Sequence, residues 1–173
     1  MSDPHDWTRT VTTNDEVDLL IDAWARERPD IDFAPLDVFS RLRRVARRLD
    51  RTRSEAFARS HLAIWEFDVL SALRRSGDPY EMSPKHLVTS TMVTSATMTN
   101  RLDRLVEREL VERRDDPRDG RGILVRMTPA GLERVDDAML ALLEAERTHL
   151  DTLSPAQQAE LAELLRIVGA EFI

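Results

Sequence analysis

Residues 83–128 constrain the fold of this chain more than any other stretch. Ser83–Pro84 is a helix-start signal, a side-chain N-cap followed by proline in the first turn. Thr94 is a second N-cap, and Thr128–Pro129 opens another helix. The first helix, PKHLVTS, is therefore short, and a brief turn at about 91–93 leads into SATMTNRLDRLVERE, residues 95–109. Two such helices joined by a tight turn are a helix-turn-helix. Leu110 and Val111 then start a strand, DDPRDGRG turns, and ILVRM alternates Ile123, Val125 and Met127 on one face, the pattern of a β-hairpin. A hairpin directly after the second helix is the order of a winged helix.

Long helices flank this core. From the N-cap candidate Asn14, Val17, Leu20, Ile21 and Trp24 form a helical stripe that Pro29 and Asp30 end. A second helix starts near Ala34–Pro35 and runs to about Arg59, with Val38, Phe39, Leu42, Val45, Ala46 and Leu49 in register. A third, LAIWEFDVLSALRRSG, buries Leu62, Trp65, Val69, Leu70 and Leu73, with Gly77 as its C-cap; the segment DPYEM after it reads as a turn. After the hairpin, Leu132, Val135, Met139, Leu142 and Leu143 mark a long helix, and Ser154–Pro155 opens the last one. The expected fold is mainly α with a small β-hairpin.

The formal net charge of −7 argues against a polyanionic partner until its distribution is considered. Residues 1–40 hold ten acids and three arginines, and residues 131–173 hold nine acids and three arginines. Residues 41–130 hold nineteen basic and thirteen acidic side chains. A basic middle between acidic ends is a segregated field, and the local field governs an anionic partner. All the basic residues but Lys85 are arginine. Arginine suits bidentate contacts to phosphate and guanine, although genomic base composition explains such an excess equally well. The absence of cysteine excludes disulfides and thiol chemistry. His5, His61, His86 and His149 show no paired spacing, so no metal and no cofactor is expected. No glycine-rich phosphate loop or nucleophile–base pattern suggests an enzyme. An acidic, polar N-terminus and the lack of a long apolar run point to a bacterial cytoplasm.

On a helix over 95–109, Met98, Leu102, Leu105 and Glu109 fall together, and the three apolar ones dock the helix on its own domain. A groove-reading helix needs small or polar residues near its N-terminus. Ser95, Thr97 and Thr99 supply small size, Asn100 can pair with adenine, and Arg104 with guanine or phosphate. Arg118 and Arg121 at the hairpin tip are candidates for the minor groove, with Gly120 and Gly122 providing the bend and Asp116 bracing Arg118. Each feature alone also describes an ordinary polar helix face or a solvated turn; their tandem arrangement favours DNA.

The segment MTNRLDRLVERELVERRDDPRDGRGILVRMTPAG resembles the multiple-antibiotic-resistance regulator (MarR) family of bacterial transcription factors. Asp116, Arg118 and Met127–Thr128 meet the family's wing pattern, with Met in place of Leu. The resemblance implies a winged helix-turn-helix DNA-binding domain and a homodimer with interlocking terminal helices. The expected division is a flexible arm at 1–13, dimerisation helices at 14–60, the winged domain at 61–128, and dimerisation helices at 129–173. The implied partners are a second copy, a pseudo-palindromic double-stranded operator and a small-molecule effector that releases it, usually in repression. A urate-responsive subgroup carries a Trp on an added N-terminal helix, an Asp before the helix-turn-helix and an Arg within the recognition helix; Trp24, Asp68 and Arg101 are similar. Trp24 in dimer packing and Asp68–Arg101 as an interhelical ion pair are the plain alternatives. An architectural DNA binder without ligand control, or a winged-helix protein-interaction module, would use the same fold.

Overall fold

The computed structural model describes residues 14–117 and 119–172, and they fall into two compact units that divide at Leu49/Asp50. The expected arm at 1–13 lies outside the described residues.

The first unit contains α1 (Glu16–Glu27) and most of α2 (Ala34–Arg59). The N-cap of α1 is Asp15 rather than Asn14. Its carboxylate accepts from the N–H of Val17 at 2.7 Å and of Asp18 at 3.1 Å, while the Asp18 carboxylate accepts from the Asp15 N–H at 2.8 Å. Only Asp15 has a carboxylate three positions ahead that can complete a capping box, so it displaces its neighbour. Arg41 of α2 then grips Asp15 at 2.9 Å, Asp18 at 2.7 Å and Asp37 at 2.7 Å. Arg44 pairs with Glu16. Desolvation opposes charge on Asp15, but the two N–H donors and Arg41 outweigh it and hold this carboxyl below its ordinary range. Val17 is buried, whereas Leu19, Val38, Phe39 and Val45 are exposed.

The second unit contains α3 (Ile64–Arg75), β1 (Glu81–Met82), α4 (Pro84–Thr91), α5 (Ser95–Glu107), β2 (Val111–Asp116), β3 (Asp119–Met127), α6 (Pro129–Leu150) and α7 (Pro155–Ala170). The start signals act as the sequence predicts: Ser83, Thr94, Thr128 and Ser154 each accept a backbone N–H in the first turn of the following helix. The strands form an antiparallel sheet in the order β1-β3-β2. The expected turn DPYEM is in part a strand, with Glu81 and Met82 opposite Arg126 and Val125. Two residues carry no periodicity, and β1 forms because β3 would otherwise leave its backbone edge unpaired. Helix α3 ends at Arg75 with Ser76 as its cap, and Gly77 takes the left-handed conformation just beyond it, φ +78°.

One core joins these elements. Phe57 at the end of α2 stacks on Phe67 of α3, with ring centroids 4.0 Å apart. Around them lie Leu70 and Leu73 of α3, Leu87 of α4, Met98, Leu102 and Leu105 of α5, Val125 and Met127 of β3, and Val135 and Ala138 of α6. Trp65 is only half-buried, at the margin of this core. The face alternation in β3 fades outward: Val125 and Met127 are buried, but Ile123 is exposed. Gly131 seats α6 against the hairpin root, since a Cβ there would lie 2.2 Å from the Leu110 carbonyl oxygen. Among the described residues, four chain reversals turn on non-glycine residues with positive φ: His61 at 55°, Tyr80 at 58°, Met92 at 52° and Glu109 at 57°.

Candidate nucleic-acid interface

Helix α5 is fixed from both ends and from one side. At its start, the Thr94 hydroxyl accepts the Thr97 N–H at 3.2 Å. At its end, Arg108 pairs with the buried carboxylate of Glu66 and donates to the His61 carbonyl at 2.7 Å. Ala63 has no side chain to cap α3, so the other Glu66 oxygen accepts the Ala63 N–H at 2.8 Å. Along its side, Met98, Leu102 and Leu105 are all at most 2% exposed and dock the helix as the sequence predicts.

The other face is presented to solvent. Ser95, Thr97, Thr99, Asn100 and Arg104 are all exposed. The Thr99 hydroxyl donates to the Ser95 carbonyl at 3.0 Å, and the Thr97 hydroxyl lies 2.9 Å from that of Thr94. Among the described residues, the Asn100 and Arg104 side chains have no partner within the protein. Donors and acceptors held on a rigid helix and left unpaired are what base or phosphate readout requires.

One ion pair ties the wing to the helix before it. Arg113 of β2 donates to Asp103 of α5 at 2.6 Å, tying hairpin to recognition helix. The two strands pair from Val111↔Met127 to Asp116↔Asp119, with a register shift between Asp115 and Asp116. The expected Asp116–Arg118 brace falls on Arg118, which lies outside the described residues, as does the side chain of Arg121. The backbone of Gly120 and Gly122 is already strand, so these glycines follow the turn rather than form it.

The ligand candidates separate. Asp68 lines a pocket of about 390 Å³ together with Arg53, Phe67, Ser71, Arg75 and Met92. Arg101 lines another, of about 240 Å³, with Trp65, Thr97, Asn100 and Arg104. Among the described residues, no ion pair joins Asp68 to Arg101. Trp24 belongs to the first unit, where it is half-exposed and packs tilted on Phe33 at 6.0 Å. Sequence reasoning missed Arg75 and Trp65 as site residues, and it offered Arg53 only within the arginine-rich stretch 41–53, as a phosphate contact, a cleft lining or a solvated face. The second pocket did have a readable signal, since Thr97, Asn100, Arg101 and Arg104 follow an i, i+3, i+4, i+7 stripe.

The MarR family pattern matches residues 62–122, which run from α3 into the wing. Over 154 residues the chain is 34% identical to the HTH-type transcriptional regulator PecS of Dickeya dadantii, covering 89% of this chain and 91% of PecS. The chain belongs to the MarR family. It is similar to a mutant of Escherichia coli MarR solved in complex with operator DNA, at 26% identity and TM-score 0.65, with 80% of this chain and 99% of that one covered. It is also similar to BpsR of Bordetella bronchiseptica, solved to explain regulation of its DNA binding by 6-hydroxynicotinic acid, at 30% identity and TM-score 0.63, with 76% and 92% covered. MarR-family membership makes this chain a DNA-binding transcriptional regulator and not an enzyme. No helix among the described residues is long and apolar enough to cross a membrane.

Proposed function

We propose that this MarR-family regulator is a repressor that binds a pseudo-palindromic operator as a homodimer and lets go when a small planar, anionic metabolite binds. The observation that carries the DNA part is the Asn100–Arg104 face of α5, unpaired among the described residues and joined to the wing by Asp103–Arg113. A homodimer would present two such faces about one helical turn apart, ~10 bp. Exposed Leu140, Leu143 and Leu150 on α6, and Leu161, Leu164 and Leu165 on α7, are apolar surface suited to a second copy.

The ligand reading rests on the Asp68 pocket. Arg53 and Arg75 have no carboxylate partner among the described residues, and Arg75 donates only to the Ser71 hydroxyl, at 3.1 Å. Asp68 likewise has no cationic partner among them. A ring bearing both N–H donors and anionic oxygens would satisfy the two kinds of group together, and urate is the named candidate. The aromatic acid that regulates BpsR is also planar and anionic. Trp24 enters only through the resemblance to the urate-responsive subgroup. Release would be a population shift: the ligand prefers a dimer geometry that cannot span both half-sites.

Operator selection, salt titration and urate titration test this together. A repressor of this kind shows sequence preference, a steep salt slope, and loss of operator binding with urate. A slope without preference would mean an architectural protein, and neither would mean a protein-interaction module. Unchanged operator binding at millimolar urate sinks urate as the effector.

A further inference from the structure

The pocket on the reading side of α5 contains a pair that DNA recognition by this helix has not yet used. The Arg101 guanidinium lies over the Trp65 ring, 5.7 Å from its centroid. Thr97, Asn100 and Arg104 line the same pocket, and among the described residues no acidic side chain does. The nearest acidic neighbour along the helix, Asp103, is held by Arg113. Arg101 itself has no carboxylate partner among the described residues.

We propose that Trp65 and Arg101 form a phosphate clamp: the indole holds the guanidinium at the flank of α5, where it binds the DNA backbone beside the groove that Asn100 and Arg104 read. A guanidinium held over a ring by its charge keeps N–H donors for an anion. Position decides between base and phosphate. Arg101 lies between the outward Asn100–Arg104 line and the buried Leu102–Leu105 line. The centre of a helix in the major groove meets base edges, and its shoulders meet the sugar-phosphate walls. A half-buried indole one helix away is a rigid platform, so the clamp loses little side-chain freedom on binding. Arg101 then belongs to DNA rather than to the Asp68 pocket. The inference rests on α5 being the reading helix.

Fluorescence anisotropy with a selected operator and a random duplex, each at several salt concentrations, tests it. Arg101→Ala should weaken both duplexes by about tenfold and lower the salt slope by about one. Arg101→Lys should restore the slope, since the charge returns, but not the full affinity. Trp65→Phe should stay within about threefold of the parent, and Trp65→Leu should weaken binding as Arg101→Ala does. The double variant W65L/R101A should be no weaker than R101A, because the indole acts only through the arginine. With Trp7 and Trp24 replaced by Phe, Trp65 emission should change on adding operator and stay constant in the R101A background. Additive losses, or an unchanged affinity and slope in R101A, overturn the clamp. Arg104→Ala is the control: if R104A loses operator affinity while R101A does not, only the clamp fails, and if neither does, α5 is not the reading helix. Should W65L unfold, the R101A and R101K slopes decide alone.

Discussion

The two compact units are held together by different physics. The first buries Val17 and relies on Arg41 reaching three aspartates across partly exposed surface. The second buries a continuous apolar cluster from Ala56 to Leu142, and its deeply buried carboxylate, Glu66, is met by Arg108 and a backbone N–H. Surface ion pairs are weak and yield to salt, whereas apolar burial does not. The unit that contains the helix-turn-helix is the one built on burial.

The largest break of that contrast comes from the core. Leu102→Ala should cost about 2–5 kcal/mol by chemical denaturation, because Leu102 is 2% exposed and leaves a cavity. A loss under about 1 kcal/mol would mean that α5 does not depend on burial. Next comes Gly131→Ala, expected to cost about 1–3 kcal/mol by overpacking. The Leu110 carbonyl it would strike accepts the Thr128 N–H at 3.1 Å, so it cannot simply move aside. Calorimetry on the variant measures this directly.

Two arginine-to-alanine changes then sharpen the comparison. Arg104→Ala should leave thermal unfolding unchanged but weaken a selected operator by about tenfold or more. A greater loss on operator than on random DNA identifies a base contact, and equal losses a phosphate contact. Arg41→Ala should do the reverse, disturbing α1 in NMR spectra while sparing DNA binding, with a smaller effect in high salt. The smallest effect is that of acid. Asp15, and Asp30 beside Arg28, titrate below the ordinary value of 3.8. A depressed folded-state pKa stabilises above the unfolded value and is lost as pH falls through the folded one. The α1 signals should therefore loosen as pH drops below about 3.8, ahead of the α5 signals. Simultaneous loss would show that the two units share one source of stability.

Most of the fold was legible because its punctuation is local. Ser83–Pro84, Thr94, Thr128–Pro129 and Ser154–Pro155 act on the backbone within a turn of themselves, so a reader of the sequence meets cause and effect together. The stripe Met98–Leu102–Leu105 is read in the same way. What was not legible depends on partners distant in sequence. Strand β1 exists only because β3 lies alongside it. The wing brace joins Asp103 to Arg113, helix to strand, and no spacing rule connects them. Asp68 lies on α3 and Arg101 on α5, and which pocket each side chain lines is set by how the two helices pack, which periodicity does not encode.

The four left-handed joints have one further implication. A bulky side chain in that conformation is disfavoured by about 1–2 kcal/mol per residue. Four of them amount to a sizeable share of the whole stability of a domain of this size, commonly about 5–15 kcal/mol. His61, Tyr80, Met92 and Glu109 therefore hold conformations that the packing of the elements on either side must sustain. Met92 is the left-handed cap that ends α4, two residues before the N-cap of α5. If temperature or a core substitution weakens that packing, the strain at Met92 predicts that the α4–α5 joint relaxes while the helices are still formed. Operator binding should then be lost on warming before helicity is, so that the regulator lets go of its gene some degrees below its own melting point.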